Sequence, residues 1–194
     1  MSHSEHQHVR YSLAASMEKE LGVFPQKCYQ CGKCSAGCPV NEEMDYAPSV
    51  VMRLLQSESP AYDETLLKSY SIWMCVACEM CLTRCPYEID IPSVMDYMRQ
   101  KSLKENKVHP KARPIVSFHE SFLNSIKTTG RLFEFGLILD YKRKTLNLLQ
   151  DVALAPKMIS RGKLHFIPEK IKGTSHIKQI FAKTIHKPDN QKKS

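Results

Sequence analysis

Residues 28–39 read CYQCGKCSAGCP, and residues 75–86 read CVACEMCLTRCP. Both stretches follow the spacing C-x2-C-x2-C-x3-C-P, in which three cysteines recur at every third position and a fourth precedes a proline. Together they contain all eight cysteines of the 194-residue chain. A spacing that occurs twice and leaves no cysteine over indicates two sets of ligands rather than isolated thiols.

This spacing is typical of a [4Fe–4S] cluster, a cube of iron and sulfide held by four thiolates. Cysteines three positions apart wrap tightly around one small cluster. The fourth cysteine lies beyond that wrap, and in two-cluster ferredoxins it ligates the other cluster. The sequence therefore predicts two [4Fe–4S] clusters with crossed ligands. We expect cluster one to be held by Cys28, Cys31, Cys34 and Cys85, and cluster two by Cys75, Cys78, Cys81 and Cys38.

Two other metal centres match parts of this pattern. Four-cysteine zinc sites also use C-x2-C pairs, but each run here adds a third cysteine at the same step and a C-x3-C-P ending. A [3Fe–4S] centre usually goes with a missing cysteine in one run, and neither run lacks one.

The 36-residue spacer between Cys38 and Cys75 decides the predicted fold. Its apolar residues recur at helical spacing, and strand-like alternation is nearly absent from the chain. We predict a mainly α protein. By resemblance to known iron–sulfur subunits, residues 26–100 are expected to form an α-helical ferredoxin domain with two [4Fe–4S] clusters. Residues 1–25 are expected to be a polar N-terminal arm, and residues 101–194 a basic C-terminal extension of helices and loops that docks partners.

The spacer is similar to that of the α-helical ferredoxin domain in the iron–sulfur subunits of succinate dehydrogenase and fumarate reductase. Those subunits also carry a plant-type C-x4-C-x2-C module, which this sequence does not contain. A full subunit of that family is therefore not expected.

Local signals place several helices. Residues 12–21 predict a short helix, and Asn41 or Asp45 is expected to cap the helix that follows the first run. Residues 63–74 predict one helical segment. Pro92 is expected at the first position of the helix that follows the second run.

Charge divides the chain into two halves. Residues 1–100 hold 8 Lys and Arg against 13 Asp and Glu, a net charge of −5, whereas residues 101–194 hold 20 against 7, a net charge of +13. The basic residues are interspersed with apolar ones, as on solvated helix faces, which disfavours nucleic-acid binding and favours protein partners. Five apolar residues either cover the cluster core or form a subunit interface: Leu132, Phe133, Phe135, Leu137 and Ile138.

Several classes of function are disfavoured by what the sequence does not contain. It has no apolar stretch long enough to span a membrane, and its N-terminus has no secretory signal, so we expect a cytoplasmic protein. There is no dinucleotide or phosphate-binding loop and no Cys-Cys pair. We predict no catalytic residue in this chain, which suits a carrier of single electrons between other proteins.

The whole chain resembles the iron–sulfur C subunit of the CoB–CoM heterodisulfide reductases of methanogenic archaea. The resemblance rests on CYQCGKCSAGCPV, on WMCVACEMCLTRCPYEIDIP, and on the later segments GRLFEFGLILDYK and RGKLHFIPEKIKG. It implies an electron-transfer protein with two [4Fe–4S] clusters that receives electrons from a flavin-bearing A subunit. It also implies a catalytic B subunit that reduces the disulfide of coenzyme M and coenzyme B. In the larger complex, the A subunit would bifurcate electrons and would dock a hydrogenase or formate dehydrogenase.

Two further functions remain open at the level of sequence. One is the iron–sulfur electron-transfer subunit of another flavin oxidoreductase, of the glycerol-phosphate, glycolate or fumarate reductase type. The other is a binding module with structural metal and no redox role.

Overall fold

The computed structural model describes residues 12–146 and 171–184, together with residues 156, 160, 161 and 168. In this part of the chain the regular elements are helices and no strand occurs, which confirms the predicted mainly α fold. The α-helices are α1 (Leu13–Leu21), α2 (Lys33–Ala36), α3 (Pro48–Gln56), α4 (Pro60–Leu67), α5 (Ser71–Met74), α6 (Met80–Arg84), α7 (Ile91–Lys104), α8 (Arg113–Thr129), α9 (Glu134–Thr145) and α10 (Thr174–Thr184). Short 3₁₀ helices span Pro25–Lys27, Asn41–Glu43 and Pro110–Ala112.

Packing divides the chain into two compact units, Met1–Ala112 and Arg113–Ser194. The boundary expected from the sequence, residue 100, falls inside α7 and therefore within the first unit. Both cysteine runs also lie in the first unit. Among the described residues, no helix is both long enough and apolar enough to cross a membrane.

Helix α7 is the main support of the first unit. It packs against α1, α4, α5 and α6, and its side chains Val94, Met95 and Met98 are at most 1% exposed. Each side chain of this size contributes about 1.5–3 kcal/mol when it is buried. Asp90 caps the helix by accepting a backbone N–H at 3.0 Å, and Pro92 is the second residue of the helix, one position after the predicted first.

Helix α3 forms the other wall, behind the first cysteine run. It packs against α1, α2 and α4, and it buries Val51, Met52 and Leu55 completely. It begins at Pro48, so the predicted caps Asn41 and Asp45 are wrong. A proline in the first turn has no N–H to satisfy and its φ already suits a helix, so no side-chain cap is needed there.

The predicted helix over residues 63–74 is interrupted between α4 and α5. The carboxylate of Asp45 accepts the backbone N–H of Tyr70 at 2.8 Å and that of Ser71 at 2.7 Å. Asp45 therefore caps the N-terminus of α5, 25 residues further along the chain. The single helix predicted for residues 63–74 is divided at this point.

Helix α1 matches the prediction for residues 12–21. The Ser12 hydroxyl accepts the N–H of Ala15 at 3.1 Å, and Gly22 ends the helix in the left-handed conformation. Met17 is fully buried. Part of the expected N-terminal arm therefore belongs to the core of the first unit.

In the second unit, α8 packs against α9 and α10. Gly130 ends α8 with a φ of 82°, and the side chain of Ile171 occupies the space that a Cβ at Gly130 would need. The backbone N–H of Ile171 donates to the carbonyl of Thr129 at 3.1 Å. Of the apolar residues singled out in the sequence, Leu137 is buried within this unit. Most of RGKLHFIPEKIKG lies outside the described residues.

Candidate metal centres

The two cysteine runs follow the same backbone path. In each run the residues two and four positions after the first cysteine are left-handed. They are Gln30 (φ 63°) and Gly32 (φ 74°) in the first run, and Ala77 (φ 50°) and Glu79 (φ 60°) in the second. A short helix begins at the next residue, α2 in the first run and α6 in the second. Left-handed residues in such a turn-rich loop help to direct backbone N–H groups to one side, an arrangement suited to an anion.

A side chain from a supporting helix fixes the start of each run. Gln56 of α3 donates to the carbonyl of Cys28 and to the carbonyl three residues earlier. Arg99 of α7 donates to the carbonyl of Cys75 and likewise to the carbonyl three residues earlier. The two runs are therefore anchored at equivalent backbone atoms, one by a neutral amide and the other by a guanidinium.

Three cysteines of the first run and the last cysteine of the second run line a partly open cavity. We call this cavity the first site; its cysteines are Cys28, Cys31, Cys34 and Cys85. Polar side chains also line it, among them Tyr29, Lys33 and Tyr87. The rings of Tyr29 and Tyr87 meet edge to face with centroids 5.3 Å apart, and each residue is more than half exposed.

The remaining cysteines line a second partly open cavity, which we call the second site: Cys75, Cys78, Cys81 and Cys38. Every other residue that lines it is apolar: Val40, Met44, Pro48, Val76, Met80, Ile91, Pro92 and Met95. The structure thus brings together the same two sets of four cysteines that the crossed assignment groups.

The two sites are neighbours. Ile91, which is 3% exposed, lines both cavities, and α2 packs against α6. At this contact Gly37 faces Arg84, because a Cβ at Gly37 would lie 2.7 Å from Cδ and 2.8 Å from Nε of Arg84. Both residues stand nine positions after the first cysteine of their run.

The surroundings of the thiols differ within each site. The backbone N–H of Lys33, together with the Tyr29 hydroxyl and the Lys33 charge, lowers the pKa of Cys31. Burial raises the pKa of Cys34 and raises that of Cys81 to about 11. A buried thiol of this kind loses its proton readily only when a metal takes the proton's place.

The donor chemistry of both cavities fits an iron–sulfur cluster. All eight cysteines are free thiols, and thiolates are the soft ligands that such clusters use. Within the described ranges, no three His, Cys, Asp or Glu side chains form a group suited to a single metal ion. A cubane does not need its ligands to meet at one atom, since each of its four thiolates is bound to a different iron.

The cysteine spacing alone does not predict the other residues of the sites. Tyr29 and Lys33 at the first site, and the anchors Gln56 and Arg99, have no motif of their own. A position-by-position alignment of the two runs would have pointed to Tyr29 and Lys33, because the second run has apolar residues at those places.

Comparisons with known proteins agree with this geometry. Residues 25–89, which include both cysteine runs, match the family model described as a 4Fe-4S dicluster domain. The chain is 31% identical over 101 residues to the iron-sulfur C subunit of the CoB–CoM heterodisulfide reductase of Methanopyrus kandleri, a match that covers 52% of this chain and 51% of that protein. It is 34% identical over 88 residues to the C subunit of the ferredoxin:CoB–CoM heterodisulfide reductase of Methanosarcina acetivorans, covering 45% of this chain and 33% of that protein.

A longer match, of 22% identity over 165 residues, relates the chain to the C2 subunit of the H(2)/formate:CoB–CoM heterodisulfide,ferredoxin reductase of Methanococcus maripaludis. It covers 69% of this chain and 87% of that protein. The chain spans about half, or less, of the length of the first two relatives. The predicted resemblance to the C subunit of heterodisulfide reductase is confirmed, and the relatives are by name subunits of an oxidoreductase.

Proposed function

We propose that the chain is the electron-transfer iron–sulfur subunit of a heterodisulfide reductase. It relays single electrons from a flavin-bearing A subunit to a catalytic B subunit, which reduces CoM–S–S–CoB to coenzyme M and coenzyme B in methanogenesis. The observation that carries the proposal is the pair of neighbouring cavities, each lined by four cysteines. The names of the relatives support the choice of enzyme.

In this proposal the first site holds one [4Fe–4S] cluster through Cys28, Cys31, Cys34 and Cys85. The second site holds another through Cys75, Cys78, Cys81 and Cys38. Such a cluster, when bound, accepts and returns one electron.

The other residues of the two sites position the thiolates. Gln56 and Arg99 fix the first cysteine of each run through its carbonyl, and the left-handed residues turn backbone N–H groups toward the ligand. Ile91 stands between the two cavities and excludes water from the space between them. Close spacing of the two sites lets the chain pass an electron through its interior.

The chain contributes no catalytic residue to disulfide reduction in this proposal. Cleavage of one disulfide into two thiols takes two electrons and two protons. The chain supplies the electrons one at a time, and the catalytic partner, the B subunit, binds the substrate and delivers the protons. In a larger cytoplasmic complex, the flavin-bearing partner would bifurcate electrons from a docked hydrogenase or formate dehydrogenase.

The basic C-terminal extension is the proposed docking surface. Its large apolar side chains are only partly covered within the second unit, since Leu139 is 60% exposed and Phe118 is 44% exposed. The net charge of +13 over residues 101–194 favours an acidic partner surface. Deletion of residues 113–194 should leave the metal centres intact and weaken the pull-down of the flavin-bearing and catalytic partners.

Metal analysis tests the proposed cofactors. Anaerobic reconstitution should load about eight irons and eight acid-labile sulfides per chain, as two cubanes require. The sample should be brown and should bleach with dithionite. About four irons per chain, or a colourless zinc protein, would contradict the proposal.

Anaerobic co-purification with mass spectrometry tests the proposed complex. We expect the A and B subunits of heterodisulfide reductase to co-purify, and we expect the chain alone to accept electrons from a low-potential donor without reducing CoM–S–S–CoB. Reduction of the heterodisulfide by the chain alone would overturn its role as a relay. Recovery of a glycerol-phosphate or glycolate dehydrogenase instead would favour the alternative flavin oxidoreductase.

A further inference from the structure

The two sites differ at three equivalent positions around the cysteines. Two of these positions belong to the run that gives a site three of its cysteines: they lie one and five residues after the first cysteine of that run. The third position belongs to the other run and lies two residues after its last cysteine. At each of them the first site has a polar side chain where the second site has an apolar one: Tyr29 against Val76, Lys33 against Met80, and Tyr87 against Val40.

Access to water does not separate the sites. Tyr29 is 55% exposed and its counterpart Val76 is 60% exposed. The middle cysteine of each three-cysteine wrap, Cys31 or Cys78, is also exposed. The chemistry of the lining side chains, rather than hydration, therefore distinguishes the two environments.

At the first site a hydroxyl donor and a positively charged side chain line the cavity together with the cysteines. Tyr29 and Lys33 lie on either side of Cys31 in the run, each two residues from it, and both line the same cavity as Cys31. Lys33 makes no ion pair with any residue in the described part of the chain. At the second site Val76 and Met80 have no donor to offer.

The other charges near the runs do not reverse this difference. Arg99 anchors the second run, but its guanidinium is paired with Asp96 at 2.7 Å. Arg84 is exposed and lies against Gly37, so it is near the last cysteine of each run, and it is not among the residues that line either cavity. Glu79 adds a negative charge to the second run, at the position of Gly32 in the first.

We propose that Tyr29 and Lys33 stabilise an added electron at the first site, which gives this site the higher reduction potential of the two. The inference rests on the proposed function, because it takes both sites to hold a [4Fe–4S] cluster. Reduction adds one electron from an external donor, with no bond of the chain made or broken and no proton taken up. A hydrogen bond and a positive charge beside sulfur both favour the more negative state. The first electron to enter the chain therefore resides at the first site.

An EPR-monitored redox titration of the full-length, anaerobically reconstituted chain, with dithionite as reductant, tests the proposal. Cys31→Ser and Cys78→Ser assign the signals, since each changes the spectrum of one site. We expect two midpoint potentials, the higher at the first site. At a fixed potential, Tyr29→Phe and Lys33→Met should each lower the ratio of reduced to oxidised cluster at the first site about threefold to tenfold. Tenfold corresponds to about 59 mV for one electron.

The matched control is the reciprocal change in the second run. Met80→Lys should raise the potential of the second site and leave the first unchanged. Equal midpoint potentials at the two sites of the parent chain would overturn the inference, and so would a Lys33→Met shift of equal size at both sites. In either case, two loaded clusters per chain would leave the proposed function intact. A chain that binds only about four irons and gives one signal would instead overturn the proposed function, and the inference with it.

Discussion

The first cysteine run, residues 28–39, and the second, residues 75–86, have the same backbone and different side chains. Both have left-handed residues at the same two positions, and both begin a short helix at the same place. The side chains that complete them differ, since an amide anchors one run and a guanidinium anchors the other. The comparison teaches that the wrap depends on cysteine spacing and backbone handedness. The remaining positions are then free to give each site its own electrostatic environment.

The largest effect we predict concerns the last cysteine of each run. Cys85→Ser should disturb the EPR signal of the site lined by the first run, because Cys85 lines that cavity. Cys38→Ser should disturb the signal of the site lined by the second run. If each substitution instead changes the signal of its own run, the crossed assignment is wrong.

The anchoring side chains should give the next largest effect. Arg99→Ala removes two partly buried, charge-assisted hydrogen bonds to the second run, which we expect to cost about 1.5–3 kcal/mol of stability. Gln56→Ala removes the neutral counterpart at the first run and should cost about 0.5–1.5 kcal/mol. Each variant should lose iron preferentially from its own site under a mild chelator, as followed by EPR.

Lys68→Ala is the matched control for the anchors, since Lys68 is an exposed cation paired only at the surface with Glu64. It should change neither stability nor iron retention by a measurable amount. Equal loss of iron from both sites in Arg99→Ala would contradict separate anchoring of the two runs.

The sequence predicts the grouping of the cysteines better than it predicts their surroundings. The two sets of four expected from the cysteine spacing are the sets that line the two cavities. The helix over residues 12–21 has a local cause, since Ser12 and Gly22 bound it. The interruption after α4 depends on Asp45, which binds backbone groups 25 residues away. No local pattern reveals such a contact.

Backbone handedness is hidden from the sequence for a different reason. Gly32 suggests a left-handed residue, but Gln30, Ala77 and Glu79 adopt the same region without glycine. Their conformation is imposed by the wrap, which overrides the ordinary preference of these residues.

A smaller effect should appear where the runs meet. Gly37→Ala places a methyl group against the far end of the Arg84 side chain, which is exposed and can move aside, so we expect a loss of only about 1 kcal/mol, at the low end for overpacking. In an Arg84→Ala background the same change should cost much less. A double-mutant cycle by anaerobic guanidinium unfolding measures this coupling. Additive losses would mean that Arg84 does not occupy the space beside Gly37.

The smallest effect should come from the paired left-handed positions. Glu79→Gly relieves a non-glycine residue at a φ of 60° and should stabilise the chain by about 0.5–1 kcal/mol. Gly32→Ala at the equivalent position should destabilise it by about 1 kcal/mol. Both values can be taken from guanidinium unfolding. If the two runs share one backbone conformation, the two substitutions must change stability in opposite directions. A destabilising Glu79→Gly would argue against a shared backbone.

The most direct test of the account is an anaerobic crystal structure of the loaded chain with data collected at the iron absorption edge. We predict two separate groups of four irons, one on each side of Ile91. The sulfur of Cys85 should bind the group held by Cys28, and the sulfur of Cys38 should bind the group held by Cys75. A single group of irons, or Cys38 bound to the same cube as Cys28, would contradict the account.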